Sequence, residues 1–112
     1  MALFEFVQWL AEWLFQLEDP KFDWDDGNRL KSSAKHNVET RESEEVFRNK
    51  DHLFALGQQI RPKKKEDRFG ILGQTNEKRI LMISFTIRGG RIRIISARPI
   101  STKEKKLYEA IH

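Results

Sequence analysis

Arg88, Arg91 and Arg93 flank a Gly89-Gly90 pair inside the run Arg79-Ile-Leu-Met-Ile-Ser-Phe-Thr-Ile-Arg-Gly-Gly-Arg-Ile-Arg-Ile-Ile-Ser-Ala-Arg98. Two apolar, β-branched stretches joined by Gly-Gly predict a β-hairpin. A turn symmetric about the glycines sets Arg88 opposite Arg91 and Thr86 opposite Arg93. Side chains alternate along a strand, so Ser84, Thr86, Arg88, Arg91 and Arg93 share one face, while Phe85, Ile87, Ile92 and Ile94 share the other. Like charges facing each other across a ladder oppose folding by roughly a few tenths of a kcal/mol per pair. A sheet that gathers them on one face is expected to meet an anion.

Two further arginines depend on local geometry. A three-residue turn at Asn76-Glu-Lys78 sets Arg68 opposite Thr86 and adds it to the arginine face; a two- or four-residue turn sends it to the other side. Arg98 follows Ile94-Ile95, where the alternation breaks. Strict alternation puts Arg98 on the Ile92 face, unless a bulge resets its phase.

The 112 residues make one domain with a single modest core. Without cysteine, disulfides and thiolate zinc sites are excluded. The net charge of +4 hides a division. Residues 1–59 carry 7 basic and 12 acidic side chains, and residues 60–112 carry 14 basic and 5 acidic. A basic half-domain points to nucleic acid or an acidic protein partner, and says nothing about fold.

The elements that position these groups begin with an apolar stretch, Leu3 to Leu17. At helical spacing Leu3, Phe6, Val7, Leu10, Trp13, Leu14 and Leu17 form one stripe, with Phe4, Ala11 and Phe15 beside it. The arc is broader than one packing face needs. Glu5, Gln8, Glu12 and Gln16 interrupt it, so it predicts neither a membrane span nor a secretory or transit signal, and the expected address is cytoplasmic. Asp19-Pro20 ends it. Lys21 to Asp25 reads as a short edge strand, and Asp25 or Asp26 caps a helix running to His36 and stopped by Asn37. A second helix starts near Thr40 with Val46 and Phe47 as core contacts. Strands follow over His52–Ile60 and Arg68–Thr75, separated by a charged connection, Arg61 to Asp67. Ser101-Thr-Lys-Glu104 is a capping box opening a C-terminal helix. The expected fold is α+β: an antiparallel sheet of about four strands, two helices in the N-terminal half and one at the C-terminus, plus an extra N-terminal helix.

These segments together resemble the BrnT-type toxins of type II toxin-antitoxin systems. The likeness is carried, in order, by Phe22-Asp-Trp-Asp25, Ala34-Lys-His36 with Val38, Glu45-Val-Phe47, Asp67-Arg-Phe-Gly-Ile-Leu-Gly73, Arg79-Ile-Leu81, Thr86-Ile-Arg-Gly89, Ile92-Arg-Ile-Ile-Ser-Ala-Arg98 and Lys103-Glu104 with Tyr108. It implies a RelE-like ribonuclease fold over residues 21–112, RNA as substrate, and neutralisation by a cognate antitoxin that also binds DNA. Three features depart from the family pattern. Asn37 stands where Gly is common, Phe69 stands where Trp is common, and residues 1–20 are an extension.

RNA cleavage without a metal requires deprotonation of a 2′-hydroxyl, charge stabilisation on the phosphorane and protonation of the leaving oxygen. The planar fork of arginine suits the second task, and Arg68, Arg88 and Arg93 are assigned to it. The alternative for this face is a set of solvated or carboxylate-paired arginines. His36, in the family-like Lys-His pair, is the candidate acid or base, against the alternative of a histidine at a helix C-terminus. Lys35, Phe69, Arg91 and Arg98 are the expected substrate contacts, with an anchoring pair to a carboxylate as the alternative for Arg98; Tyr108 is read as core, with proton donation as its alternative. No cofactor is expected, and no spacing of His, Asp and Glu suggests a metal site. The competing function is a catalytically weak or inactive module that binds antitoxin or nucleic acid through the arginine face. The broad apolar arc of residues 1–20 also predicts a homodimer through that helix.

Overall fold

Gly89 and Gly90 adopt φ of 56° and 76°, the left-handed pair that a two-residue hairpin loop between right-twisting strands requires. The strands they join are β4 (Ile80–Arg88) and β5 (Arg91–Pro99). The computed structural model describes residues 2–111, apart from the side chains of Leu30 and Ser32. With β1 (Leu3–Glu5), β2 (Phe54–Arg61) and β3 (Phe69–Gln74), the hairpin makes a five-stranded antiparallel sheet in sequential order. Four helices accompany it: α1 (Gln8–Gln16), α2 (Asp26–His36), α3 (Thr40–Arg48) and α4 (Thr102–Ile111). The α+β class is as expected, with one strand more.

That extra strand corrects the reading of the N-terminus. Leu3 to Glu5 pair with β2 as an edge strand, and the helix begins only at Gln8. Two glycines make room for it. Gly57 has φ of 120°, and a Cβ there would lie 1.9 Å from the carbonyl oxygen of Glu5. A Cβ on Gly70 would lie 2.6 Å from the ring of Phe4. The short segment at Lys21–Asp25 is reduced to a single parallel bridge, Phe22 to Ile92, held by hydrogen bonds of 2.8 and 2.9 Å between backbones. It still covers the free edge of β5.

The other expected boundaries hold closely. Asp25 caps α2: its Oδ1 accepts from the Asn28 amide at 3.0 Å, while Asn28 Oδ1 accepts from the Asp25 amide at 2.7 Å. Asn37, with φ of 55°, ends α2 in the left-handed conformation that asparagine tolerates. Ser101 and Glu104 form the expected box at the start of α4.

One face of the sheet carries the main core. Phe69, Ile71, Leu81, Ile83, Phe85, Ile92, Ile94 and Ala97 are buried there with Val46 and Phe47 of α3 and Leu10 and Leu14 of α1. The Phe47 and Phe85 rings meet edge to face at 5.1 Å, a favoured quadrupole geometry. On the opposite face Leu72, Met82 and Tyr108 form a smaller core with Phe4 and Phe54. Tyr108 donates its hydroxyl hydrogen to the His52 carbonyl, in keeping with a core residue. The remainder of that second face, toward the hairpin, is left to the arginines.

Candidate active site

The register of the hairpin is the expected one: Arg88 faces Arg91, Ile87 faces Ile92, and Thr86 faces Arg93. On the other side of β4, Phe69 pairs with Phe85. Thr75 donates its amide to the Arg79 carbonyl, leaving Asn76 to Lys78 as the three-residue turn. Continuing that register by one residue brings Arg68 level with Thr86. Arg68, Arg88 and Arg93 therefore line one hollow, together with Gly27, Asn28, Lys31, Glu66, Ile94 and Ile95.

The three guanidinium groups differ in what holds them. Arg88 is paired with Glu66, Nη2 to Oε2 at 3.0 Å. Arg93, only 18% exposed, donates to Asp25 at 2.8 Å and lies 3.8 Å from Asp23. Hydrogen bonds from Asn28, and then from Arg93, hold the Asp25 carboxyl below its ordinary range. Arg68 has no acidic partner among the described residues, and its Nε is buried with nothing to accept its hydrogen. An unsatisfied buried donor costs on the order of 1–3 kcal/mol. Arg68 also lines the hollow without a counter-charge, which an incoming anion would supply.

The remaining assigned residues lie elsewhere. Arg91 is exposed at the mouth of the hairpin. Arg98 joins the arginine side of the sheet because β5 bulges: Phe85 pairs with Ile94 but Ser84 with Ser96, so Arg98 falls opposite Met82. There it grips Glu104 of α4 through two bonds of 2.8 and 2.7 Å. It anchors the helix and does not line the hollow. His36 ends α2, roughly 15 Å along the helix from the residues beside Arg93. Its carbonyl accepts from Arg79 at 3.4 Å at the far end of β4. Lys35 is exposed in the same last turn. Phe69 is 4% exposed on the main-core face, where it supports Trp9 edge-on at 5.3 Å.

Two residues of the hollow had no place in the sequence assignment. Lys31 projects from α2, one turn past Asn28; the cap at Asp25 fixes its phase, and a charged helix position gives no other sign. Glu66 sits in the charged connection before β3, which gives it no role from sequence. Lys63 and Lys64 of that connection border an adjoining hollow of about 330 Å³ with Glu66 and Arg68.

The Arg98–Glu104 pair carries a pH dependence. The bond from Arg98, and next the Ser101 amide, hold the Glu104 carboxyl below its ordinary value of 4.5. A depressed acid stabilises the fold above its unfolded pKa and loses that contribution as pH falls through the folded one. Urea midpoints of the wild type and Glu104→Gln are therefore expected to differ at pH 7 and converge below pH ~4.

The chain is thus an α+β domain built on an antiparallel sheet with a basic face, capped helices and a closing C-terminal helix. The crystal structure of the Brucella abortus ribonuclease toxin BrnT has this fold. It is similar to this chain with a TM-score of 0.55 at 24% identity, over 75% of this chain and 100% of that one. The family model for the ribonuclease toxin BrnT of type II toxin-antitoxin systems matches residues 24–104, and the chain belongs to that family. A comparison with curated proteins gives no match. Membership implies ribonuclease activity, an RNA substrate and an antitoxin partner. No helix among the described residues is long and apolar enough to cross a membrane.

Proposed function

We propose that this toxin cuts cytoplasmic RNA in the Arg68–Arg88–Arg93 hollow by attack of a 2′-oxygen on the adjacent phosphorus, with no metal taking part. The observation that carries this reading is the unpartnered Arg68 guanidinium beside two partnered ones. Three forks around one phosphate stabilise the charge that builds on its equatorial oxygens. Glu66, 40% exposed and already within the hollow, is the group in reach to take the 2′-hydroxyl proton. Lys31 is in reach of the leaving oxygen. The role expected of His36 is not retained, since its helix end is remote from the arginines. Among the described residues no group of His, Asp and Glu has the spacing to hold a metal ion. Purified toxin is expected to cleave RNA in excess chelator and leave 2′,3′-cyclic phosphate ends. Cleavage abolished by chelator and restored by a divalent ion would overturn the metal-free step.

A second reading is favoured by the carboxylates that occupy Arg88 and Arg93. In it the face binds RNA or an acidic antitoxin segment and cuts nothing. The chelator assay separates the two. The neutralising partner in either case is an antitoxin that also binds DNA, and residues 21–112 form the toxin domain proper.

The extension carries a partner proposal of its own. Leu10 and Leu14 fill the core, yet Phe6 and Phe15 remain 62% and 52% exposed. We propose that this apolar surface pairs two copies when the antitoxin is absent. Phe15→Glu is expected to shift the sedimenting species from dimer to monomer at micromolar concentration. A wild-type protein that already sediments as a monomer there refutes the pairing.

A further inference from the structure

On the helical wheel of α1, Trp9 and Trp13 lie on one flank and Phe15 about 120–160° away on the other. The tryptophan flank borders a hollow of about 340 Å³ that is also lined by Glu66, Asp67, Phe69, Thr86 and Ile87. Its volume is at the lower end of small-ligand sites, roughly 300–1,000 Å³. The arginine hollow is its neighbour. Glu66 lines both, and Thr86 in its floor faces Arg93 across the ladder.

The chemistry of the two hollows is complementary. The first offers guanidinium groups for a phosphate. The second offers no cation: it has two carboxylates and an indole, Trp9, that is 48% exposed. A phosphate would be repelled there. A nucleobase would not, because its flat face can stack on the indole and its amino or imino hydrogens can be donated to a carboxylate. Trp9 is also held for the purpose. The buried ring of Phe69 supports it edge-on at 5.3 Å, and Phe69 rests in turn on Phe85 at 5.7 Å. Stacking on a fixed ring loses less side-chain entropy than stacking on a mobile one.

We propose that the Trp9–Trp13 hollow receives a nucleobase next to the scissile phosphate, so that the N-terminal extension supplies a base-stacking subsite to the toxin. This rests on the assignment of the arginine hollow to the phosphate. Asp67 would then favour a base presenting N–H donors over one presenting only acceptors, the Glu66 carboxylate being held by Arg88.

The test uses a short single-stranded RNA with 2′-O-methyl groups, which binds but is not cut, and the same strand with one abasic site moved through each position. Trp9→Ala is expected to weaken binding of the intact strand about tenfold or more, and Trp9→Phe to keep most of it. At one abasic position the wild type should lose affinity while Trp9→Ala loses nothing further. Equal binding of intact strand by wild type and Trp9→Ala, with Arg68→Ala still weakening it, overturns the subsite and leaves the phosphate assignment standing. A wild type that binds no strand overturns both. Unchanged RNA affinity with altered sedimentation or antitoxin affinity in Trp9→Ala would assign the flank to a protein partner and also overturn the proposal. Circular dichroism and the melting temperature of both variants exclude loss of fold as the cause.

Discussion

Alanine at Arg68 is expected to lower the rate of RNA cleavage about 100- to 1,000-fold, the usual effect of removing one donor from a developing oxyanion. The fold should survive, because Arg68 has no carboxylate to abandon and its Nε is unsatisfied without ligand. That separates it from its neighbours. Arg88→Ala and Arg93→Ala should also abolish toxicity, but Arg93→Ala strips Asp25 and Asp23 of their cation at the cap of α2 and should lower the melting temperature by a few degrees as well. Lysine at Arg68 keeps the charge and loses the fork, so it should recover little activity. The measurement is single-turnover cleavage of one RNA alongside a thermal melt. Wild-type cleavage by Arg68→Ala would refute the phosphate assignment, since Arg68 is the one of the three guanidinium groups in the hollow that no carboxylate holds among the described residues.

How much of this was legible differs from residue to residue, and for physical reasons. The arginine face was readable because a glycine pair, a two-residue alternation and a turn length are all local, and together they fix register. Arg98 needed the bulge at Ile94–Ser96; the broken alternation announced it without deciding it. His36 and Phe69 were drawn in by motif, and a motif does not say which way a helix end or strand residue faces. Glu66 was missed because its position comes from a seven-residue connection folding over the sheet end, which no periodicity records. The strand β1 was missed because Leu3 and Phe4 also fit the helical period that follows. The signal lay on its partners. Gly57 and Gly70 are glycines inside strands, and such positions often mark the close approach of another backbone or ring.

Alanine at Gly57 is expected to cost about 3 kcal/mol or more, beyond what backbone strain alone would take. A methyl group there cannot coexist with the Glu5 carbonyl, which would lie 1.9 Å from it, so β1 must leave its place on β2. Gly89 is the control. Its φ of 56° is also left-handed, but a Cβ would meet nothing within 4 Å, so Gly89→Ala should cost only roughly 1–2 kcal/mol. Urea denaturation of the two variants measures the difference. Equal losses would mean that β1 contributes nothing to the folded state. An excess at Gly57 would show the extension to be bound into the sheet, with Phe4 on one face and α1 on the other. Deleting residues 1–19 would then be a poor probe of self-association, since it also removes Leu10 and Leu14 from the core, where each truncation of a buried leucine costs about 2–5 kcal/mol. The same attachment is what fixes Trp9 against Phe69 at the rim of the arginine hollow, so a strand that stabilises the sheet edge also sets the position of an exposed indole.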